Sequence, residues 1–232
     1  MFKFKTNIFI VFSLLILFLS IFFIKDFRID ASSDTLVAQN DSDFEYFNKY
    51  SSLFKSENFL VLAVKNTKKI DEYFINKFEL LSLNILQLEN VTNVFSFINA
   101  PILFLNSTSL SSLSNENLET IKNSNFNIDS ILKEFSDNPI YKDQIINNEA
   151  NVFSLIIYLQ KNLEFEEARK DYKNFKISKN EYLKIKNISD KKRNILIKSI
   201  RDVIEESDNN YQYYLGGVEM IASDVIDFVK TD

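Results

Sequence analysis

The stretch Asn58–Asn99, "NFLVLAVKNTKKIDEYFINKFELLSLNILQLENVTNVFSFIN", decides the fold class of this chain. It opens with "NFLVLAVKN", a short apolar run between polar residues, which predicts a buried strand. Over residues 71–90 the apolar side chains recur at spacings of 4, 3, 4 and 3, which predicts a helix with one apolar face. Those side chains are Phe74, Phe78, Leu81, Ile85 and Leu88. A second strand over Val91–Asn99 completes a β-α-β unit, whose crossover places both strands parallel in one sheet.

The second half of the chain has the same order of elements. Asn151–Gln160 predicts a strong third strand, and residues 191–207 predict an amphipathic helix. A fourth strand over Tyr211–Gly217 leads into a closing helix over residues 218–232. Two β-α-β halves that share one sheet make the ferredoxin-like arrangement, in which two helices cover one sheet face. The sequence therefore predicts an α+β domain over residues 58–232.

Two segments interrupt this order. Residues from about 101 to 150 predict an irregular insertion with short helical pieces, and Pro101 is expected to end the second strand. Residues 161–190 are dense in charge, which predicts a solvated helix or a surface excursion.

The N-terminal part predicts a membrane helix. Residues 7–24, "NIFIVFSLLILFLSIFFI", carry no charge and cover roughly 27 Å as a helix, close to the thickness of a bilayer core. The competing interpretation is a cleaved signal peptide, whose apolar region normally spans about 7–15 residues before small residues. We expect residues 1–6 in the cytoplasm, an extended segment and a helix over residues 25–57, and the body outside the cytoplasmic membrane.

The composition narrows the class of protein. The net charge of −5 argues against a nucleic-acid partner, because such proteins need a basic surface to offset the phosphates. Cysteine and histidine are both absent from the sequence, which removes thiolate metal sites, cysteine nucleophiles and every Ser-His-Asp triad. We therefore expect a protein that is not an enzyme and needs no cofactor.

Four segments resemble one known family. "DTLVAQNDSDFEYFNKYSSLFKSENFLVLAVKN" resembles the start of the periplasmic domain in the resistance-nodulation-division (RND) superfamily, in its MMPL-type and hopanoid-transporter-like branch. "VTNVFSFINAPIL" and "NPIYKDQIINNEANVFSLIIYLQ" resemble the family's next two strands, and "YYLGGVEMIASDVIDFVKTD" resembles its passage into the second transmembrane helix. The sequence departs from the family pattern at Lys55, where glycine is common, and at Glu219, where proline is common.

The resemblance implies the N-terminal part of a proton-driven exporter of hydrophobic or lipid-like substrates. It also implies a bacterial inner-membrane location, with a porter domain in the periplasm. The expected partners are the lipid bilayer, the remaining transporter helices, a second porter domain and the substrate. The family's proton-relay residues would lie beyond Asp232.

The alternative function is a membrane-anchored extracytoplasmic sensor or ligand-binding domain. The downstream sequence separates the two functions. About five further spans and a second such domain would indicate a transporter, whereas one span followed by coiled-coil heptads would indicate a sensor.

The candidate site residues lie near the fourth strand. Tyr211, Tyr213 and Tyr214 could line a hydrophobic substrate path, although aromatic residues at strand spacing more often belong to a core. Gly216 and Gly217, the two glycines of the chain, are expected to form a strand-to-helix hinge, because glycine allows positive φ and close backbone approach. On this interpretation, Gly216→Val impairs folding or transport.

The carboxylates make weaker candidates. Asp26, Asp30 and Asp34 are spaced by four in an extended segment, which does not converge oxygen ligands on one cation. Asp224 and Asp227 fall on adjacent faces of the closing helix, where an acid/base pair is conceivable but no third group supports it. We therefore expect no metal site and no catalytic residue.

Overall fold

The computed structural model describes the backbone of residues 2–24, 46, 50, 58–105 and 118–231. Side chains are described for residues 9–20 of the N-terminal helix and, in the C-terminal helix, for residues 218–228 except residue 226. The region expected to hold the extended segment, the first helix of the body and Asp26, Asp30 and Asp34 lies almost wholly outside the described residues. Its two described positions, Tyr46 and Tyr50, are helical, and their ring centroids are 4.2 Å apart.

The described part of the chain is α+β and contains four strands and six helices. The strands are β1 (Asn58–Lys65), β2 (Val91–Phe95), β3 (Val152–Leu159) and β4 (Gln212–Gly216). The helices are α1 (Phe2–Ile24), α2 (Glu72–Leu86), α3 (Ile128–Asp137), α4 (Leu163–Lys173), α5 (Lys179–Glu205) and α6 (Val218–Thr231).

The four strands form one antiparallel sheet in the order β2-β3-β1-β4. Because β3 is antiparallel to both of its neighbours, β1 and β2 run parallel with β3 between them. By the same reasoning β3 and β4 run parallel with β1 between them. All hydrogen-bonded neighbours are thus antiparallel, and the two strands of each predicted β-α-β unit run in the same direction with a strand of the other half between them.

Alternation along the strands places the main core on one sheet face. In β1, Leu60, Leu62 and Val64 are buried, and they pair in register with Ile157, Leu155 and Phe153 of β3. Helix α2 packs on this face through an apolar stripe of buried residues, namely Phe74, Ile75, Phe78, Leu81 and Ile85. The C-terminal half of α5 adds Leu196, Ile197 and Ile200 to the same core.

The helix starts follow local hydrogen-bond chemistry. The side chain of Asp71 accepts a bond from the Phe74 N–H at 2.9 Å and so caps α2. Ser178 and Glu181 form a reciprocal capping box at the start of α5. These caps satisfy backbone N–H groups that a helix leaves without partners in its first turn.

Helix α1 contains the segment predicted to cross the membrane. It is helical over 23 residues, and its described side chains at residues 9–20 are all exposed. Among the helices of the described residues, none is long and apolar enough to cross a membrane.

Several predicted boundaries need correction. The second strand ends at Phe95, before Pro101, because the chain turns at residues 96–100 and the Asn99 side chain bonds the backbone at both Val94 and Ser96. The insertion contains the regular helix α3, whose residues Ile131 and Phe135 are fully buried. The charged segment 161–190 is occupied by α4 and the first part of α5. The density of charged residues in this segment did not distinguish a pair of helices from an irregular surface segment.

A buried carboxylate joins two parts of the insertion to each other. Glu134 of α3 accepts hydrogen bonds from the backbone N–H groups of Leu103, Phe104 and Leu105, at 2.6, 2.9 and 2.8 Å. Its side chain is 7% exposed. Nearby, the Tyr141 hydroxyl donates to the Pro101 carbonyl at 2.9 Å. Specific polar contacts thus tie the first residues of the insertion to α3 and to the turn that follows it.

Candidate functional site

The edge strand β4 presents its residues alternately to the two faces of the sheet. Tyr213 pairs with Val64 and points toward the helix-covered face, while Tyr214 pairs with Ala63 and points to the opposite face. Tyr214 is 57% exposed, and its hydroxyl donates to the Gln212 side chain at 3.2 Å. Of the three tyrosines predicted for a substrate path, the strand therefore separates Tyr214 from the other two.

Aromatic rings form a continuous cluster beneath this edge of the sheet. The Phe74 ring lies at its centre, 5.1 Å from the rings of both Tyr211 and Phe153, between centroids. Phe78 lies 5.8 Å from Phe74 and 4.8 Å from Phe97. Edge-to-face and tilted pairs of this kind are favourable beyond their buried area. They give the site a rigid apolar floor.

A cleft of about 140 Å³ opens between α2, the end of α5 and β4. Its apolar lining includes Val64, Phe74, Phe78, Leu80, Leu81 and Val203, together with the rings of Tyr211 and Tyr213. Its polar lining consists of Lys77, Asn84, Glu206, Ser207 and Asp208. A cavity of about 150 Å³ is known to accept a benzene-sized group. The cleft can therefore hold one ring or the end of an alkyl chain.

Asp208 organises the polar side of this cleft. Its carboxylate accepts hydrogen bonds from the Asn210 backbone N–H at 2.9 Å and from the Tyr73 hydroxyl at 3.1 Å. The bond from the Asn210 backbone is the main reason that the pKa of Asp208 lies below its usual value. The Asp208 backbone carbonyl accepts from the Tyr213 hydroxyl at 3.0 Å. Asp208 thus supplies a fixed negative charge and orients two tyrosines.

The tyrosines of the cleft stay protonated near neutral pH. Burial, followed by the charge of Asp208, raises the pKa of Tyr213 to about 12. Burial is also the largest cause of the raised pKa of Tyr211. Neither hydroxyl nor the Asp208 carboxylate changes charge near neutral pH, so these three groups suit binding better than proton transfer.

The structure brings together residues that sequence reasoning treated separately. Tyr211 and Tyr213 line the same cleft as Phe74 and Phe78, which the sequence predicted only as the buried face of a helix. Lys77 and Asp208 on the cleft were not predicted as site residues. Asp208 lies in a turn, where no periodic pattern marks it, and its role depends on Tyr73, which is 135 residues away in sequence.

The two glycines have different environments. Gly217 lies between β4 and α6 with φ +137°, and a Cβ there would lie 2.8 Å from the Leu60 Cδ2 and 3.2 Å from the Phe59 carbonyl oxygen. At Gly216 the nearest atom to an added Cβ would be the Val61 carbonyl oxygen, 3.9 Å away. The conformational requirement therefore falls on Gly217, whereas the sequence-based substitution was placed at Gly216. The hinge itself stays a prediction.

Helix α6 is joined to α5 by polar pairs. Arg201 donates from one nitrogen to both oxygens of Asp224, at 2.8 and 2.9 Å. The Ser223 hydroxyl donates to the Asn194 side chain at 2.9 Å. The ion pair gives Asp224 a structural role, so the conceivable pair with Asp227 gains no support. Within the residues that the structure describes, no group of three or more acidic side chains could hold a metal ion.

Comparisons with known proteins add no relative. No protein-family model matches the chain, and neither the curated proteins nor the solved structures include a significant match.

The raised tyrosine pKa values predict a loss of stability at alkaline pH. Burial, followed by the charge of Glu134, raises the pKa of Tyr141 to about 12, the same value as for Tyr213. In the unfolded chain tyrosine ionises near pH 10, so unfolding releases protons between about pH 10 and 12. Stability is thus complete below about pH 10 and falls as the pH rises, by up to about 1.4 kcal/mol per pH unit for a fully buried tyrosine.

Urea unfolding followed by circular dichroism at several alkaline pH values checks this expectation. Tyr141→Phe is expected to lower stability at neutral pH, because the bond to the Pro101 carbonyl is lost, and to flatten the alkaline decline. A decline of unchanged slope in Tyr141→Phe would contradict the assignment.

Proposed function

We propose that this chain is the N-terminal part of an RND-type membrane exporter of hydrophobic or lipid-like substrates. In this proposal α1 is the first transmembrane helix and residues 58–232 form an extracytoplasmic porter domain. The observation that carries the proposal is the interleaved strand order β2-β3-β1-β4 in a domain that follows an apolar helix. This order supports a split β-α-β, ferredoxin-like arrangement.

Two further features support the proposal. The charge-free residues 7–24 lie within a helix of 23 residues, and the apolar side chains of residues 9–20 are exposed. A helix of 23 residues covers roughly 34 Å along its axis. The segments that resemble the family include β1, β2, β3 and β4 in the order in which the family has them.

The cleft beneath β4 is the proposed contact with substrate. Its aromatic floor suits an apolar group, and its rim carries both signs of charge, from Lys77 and from Asp208 and Glu206. A volume of about 140 Å³ accepts the end of a hydrophobic molecule and leaves the rest outside. This geometry fits a substrate that passes along the domain surface.

Photocrosslinking in cells tests the substrate contact. Leu80 and Leu83 of α2 are similarly exposed, at 51% and 48%, but only Leu80 lines the cleft. With benzophenone-alanine at position 80, we expect ultraviolet light to give adducts with lipid-like molecules, detected by mass spectrometry. The same probe at position 83 is the matched control. Equal lipid adducts at both positions, or adducts at neither, would count against the cleft as the contact.

Cysteine accessibility tests the membrane arrangement. The chain contains no cysteine, so a single introduced thiol gives an unambiguous signal. We expect Asn209→Cys, in an exposed turn of the body, to react with a membrane-impermeant maleimide in intact spheroplasts. Lys3→Cys is expected to react only after permeabilisation. Reaction of both thiols, or of neither, before permeabilisation would overturn the proposed orientation.

A further inference from the structure

Helices α4 and α5 form an antiparallel hairpin that extends away from the main core. The Tyr172 and Tyr182 rings stack with centroids 4.7 Å apart, and the Asn162 side chain donates to the Ser189 hydroxyl at 3.1 Å. Among the described residues, no side chain between positions 163 and 195 belongs to the main core cluster. From Leu196, where α5 enters that core, to its start at Lys179 is roughly 25 Å along the helix. The turn after α4 is therefore the tip of a projection.

The tip is a tight helix-ending turn. The Phe175 N–H donates to the Tyr172 carbonyl at 3.1 Å, and the Lys176 N–H donates to the Asp171 carbonyl at 2.8 Å. These two bonds define the Schellman motif, whose central residue adopts the left-handed conformation. Here that residue is Phe175, with φ +57°. Its side chain is 96% exposed.

Phenylalanine is an unfavourable residue for this position. Left-handed backbone is strained for a bulky residue, whereas glycine and asparagine adopt it readily. The exposed ring also leaves its apolar surface in water. Because the ring projects into solvent, it makes no packing contact with the domain that would offset the strained backbone or the exposed apolar surface. An unfavourable backbone conformation of this kind points to a functional reason for the residue.

Lysines flank Phe175 in the sequence of the hairpin tip. The segment 170–179, "KDYKNFKISK", contains four lysines and one aspartate, in a chain whose net charge is −5. All four lysines, Lys170, Lys173, Lys176 and Lys179, are exposed. The Lys176 Nζ lies 3.3 Å from the Asp171 Oδ1, and the exposed Glu181 follows in the first turn of α5. Four lysines against these two carboxylates leave a net charge of +2 over residues 170–181. The charge of the tip is thus opposite in sign to that of the chain as a whole.

We propose that this hairpin tip binds an anionic lipid surface, with the Phe175 ring in the interfacial layer and the four lysines beside the headgroup phosphates. Interfacial segments combine an apolar side chain with lysines in this way, and each lysine near an anionic surface contributes attraction. A single projecting ring among flexible lysines suits a fluid interface, which can close around it. The inference does not depend on transport, and only its test uses the membrane insertion of α1 that belongs to the proposed function.

A tryptophan reporter tests the proposal directly. The chain has no tryptophan, so Phe175→Trp places the only indole at the tip. The full chain is first incorporated into zwitterionic nanodiscs through α1, so that α1 cannot insert into the vesicles. Vesicles are then added. We expect the emission to shift to shorter wavelength with vesicles of phosphatidylglycerol and phosphatidylcholine, and not with phosphatidylcholine alone. Phe104→Trp, at a ring that is 63% exposed elsewhere, is the control and should not shift.

Two variants separate binding from folding. Phe175→Asn should keep or increase stability, because asparagine tolerates the left-handed conformation, yet weaken capture of anionic vesicles about tenfold. Replacing the four tip lysines by glutamine should weaken capture about 100-fold or more. The same change at four other exposed lysines, Lys68, Lys133, Lys142 and Lys198, should have little effect.

Three results would overturn the proposal. The first is capture of anionic vesicles that is unchanged by Phe175→Asn and by the lysine substitutions. The second is equal capture of neutral vesicles, and the third is a Phe175→Trp shift with soluble polyglutamate as large as that with vesicles. The last result would identify an acidic protein partner in place of a lipid surface. Loss of the shift in high salt is expected, because salt screens exposed charges.

Discussion

Gly217→Ala is expected to destabilise the domain by about 3 kcal/mol or more, through combined backbone strain and overpacking. The backbone at Gly217 has φ +137°, a conformation that side chains with a Cβ rarely adopt. The added Cβ would also lie 2.8 Å from the Cδ2 of Leu60, which is fully buried under the sheet. The measurement is the free energy of unfolding of the full chain in detergent, from urea titration followed by circular dichroism.

Gly216→Ala is the matched control for this prediction. Gly216 ends β4, and an added Cβ there meets only ordinary van der Waals contact with the Val61 carbonyl oxygen at 3.9 Å. Alanine also restricts the unfolded chain, so stability should stay within about 1 kcal/mol of the parent or rise slightly. Similar losses at the two positions would show that the strand-to-helix passage does not depend on the backbone of Gly217.

Glu134→Ala is expected to destabilise the domain by about 3 kcal/mol, because hydrogen bonds to a charged group contribute about 1.5–3 kcal/mol each and water can replace part of them. The substitution removes the acceptor of three successive backbone N–H groups, those of Leu103, Phe104 and Leu105. Their segment would lose its polar connection to α3. We expect both a lower urea midpoint and faster amide exchange at residues 103–105.

Asp137→Ala provides the comparison on the same helix. Asp137 is the last residue of α3 and is exposed, so its removal should change stability by no more than about 0.5 kcal/mol. Glu134→Gln keeps the size of the side chain but turns an amide N–H₂ toward at least one backbone donor. Its loss of stability should lie between those of Glu134→Ala and Asp137→Ala. Equal effects of Glu134→Ala and Asp137→Ala would contradict the role given to the buried carboxylate.

Sequence patterns located most elements of this domain to within a few residues. The alternation in "NFLVLAVK" and the 4-3-4-3 spacing after it correspond to β1 and α2, because burial of one face requires that periodicity. Boundaries were less certain. The second strand was predicted to reach Asn99, but hydrogen bonds of the Asn99 side chain turn the chain after Phe95.

The candidate cleft was only partly predictable. Tyr211 and Tyr213 were proposed from composition and position, and the structure places both beside Phe74 and the turn at Asp208. Tyr214 was grouped with them, but its neighbouring position on a strand puts it on the other sheet face. The hinge was predicted for both glycines and its substitution was placed at Gly216, whereas the positive φ and the close contacts occur at Gly217. The two glycines differ only in their backbone conformation and in how close each lies to Phe59 and Leu60, which the sequence does not reveal.

The sequence by itself determined the α+β class, the apolar N-terminal helix and the faces that the strands and helices bury. Each of these depends on periodicity and composition, which are local properties. Only the tertiary structure decided the strand order β2-β3-β1-β4, the cleft, the Glu134 contact and the left-handed backbone of Phe175. The first three join residues far apart in sequence, such as β1 and β4, and no local pattern encodes that pairing. The left-handed backbone of Phe175 depends on the turn that joins α4 to α5, where backbone hydrogen bonds outweigh the preference of phenylalanine for negative φ.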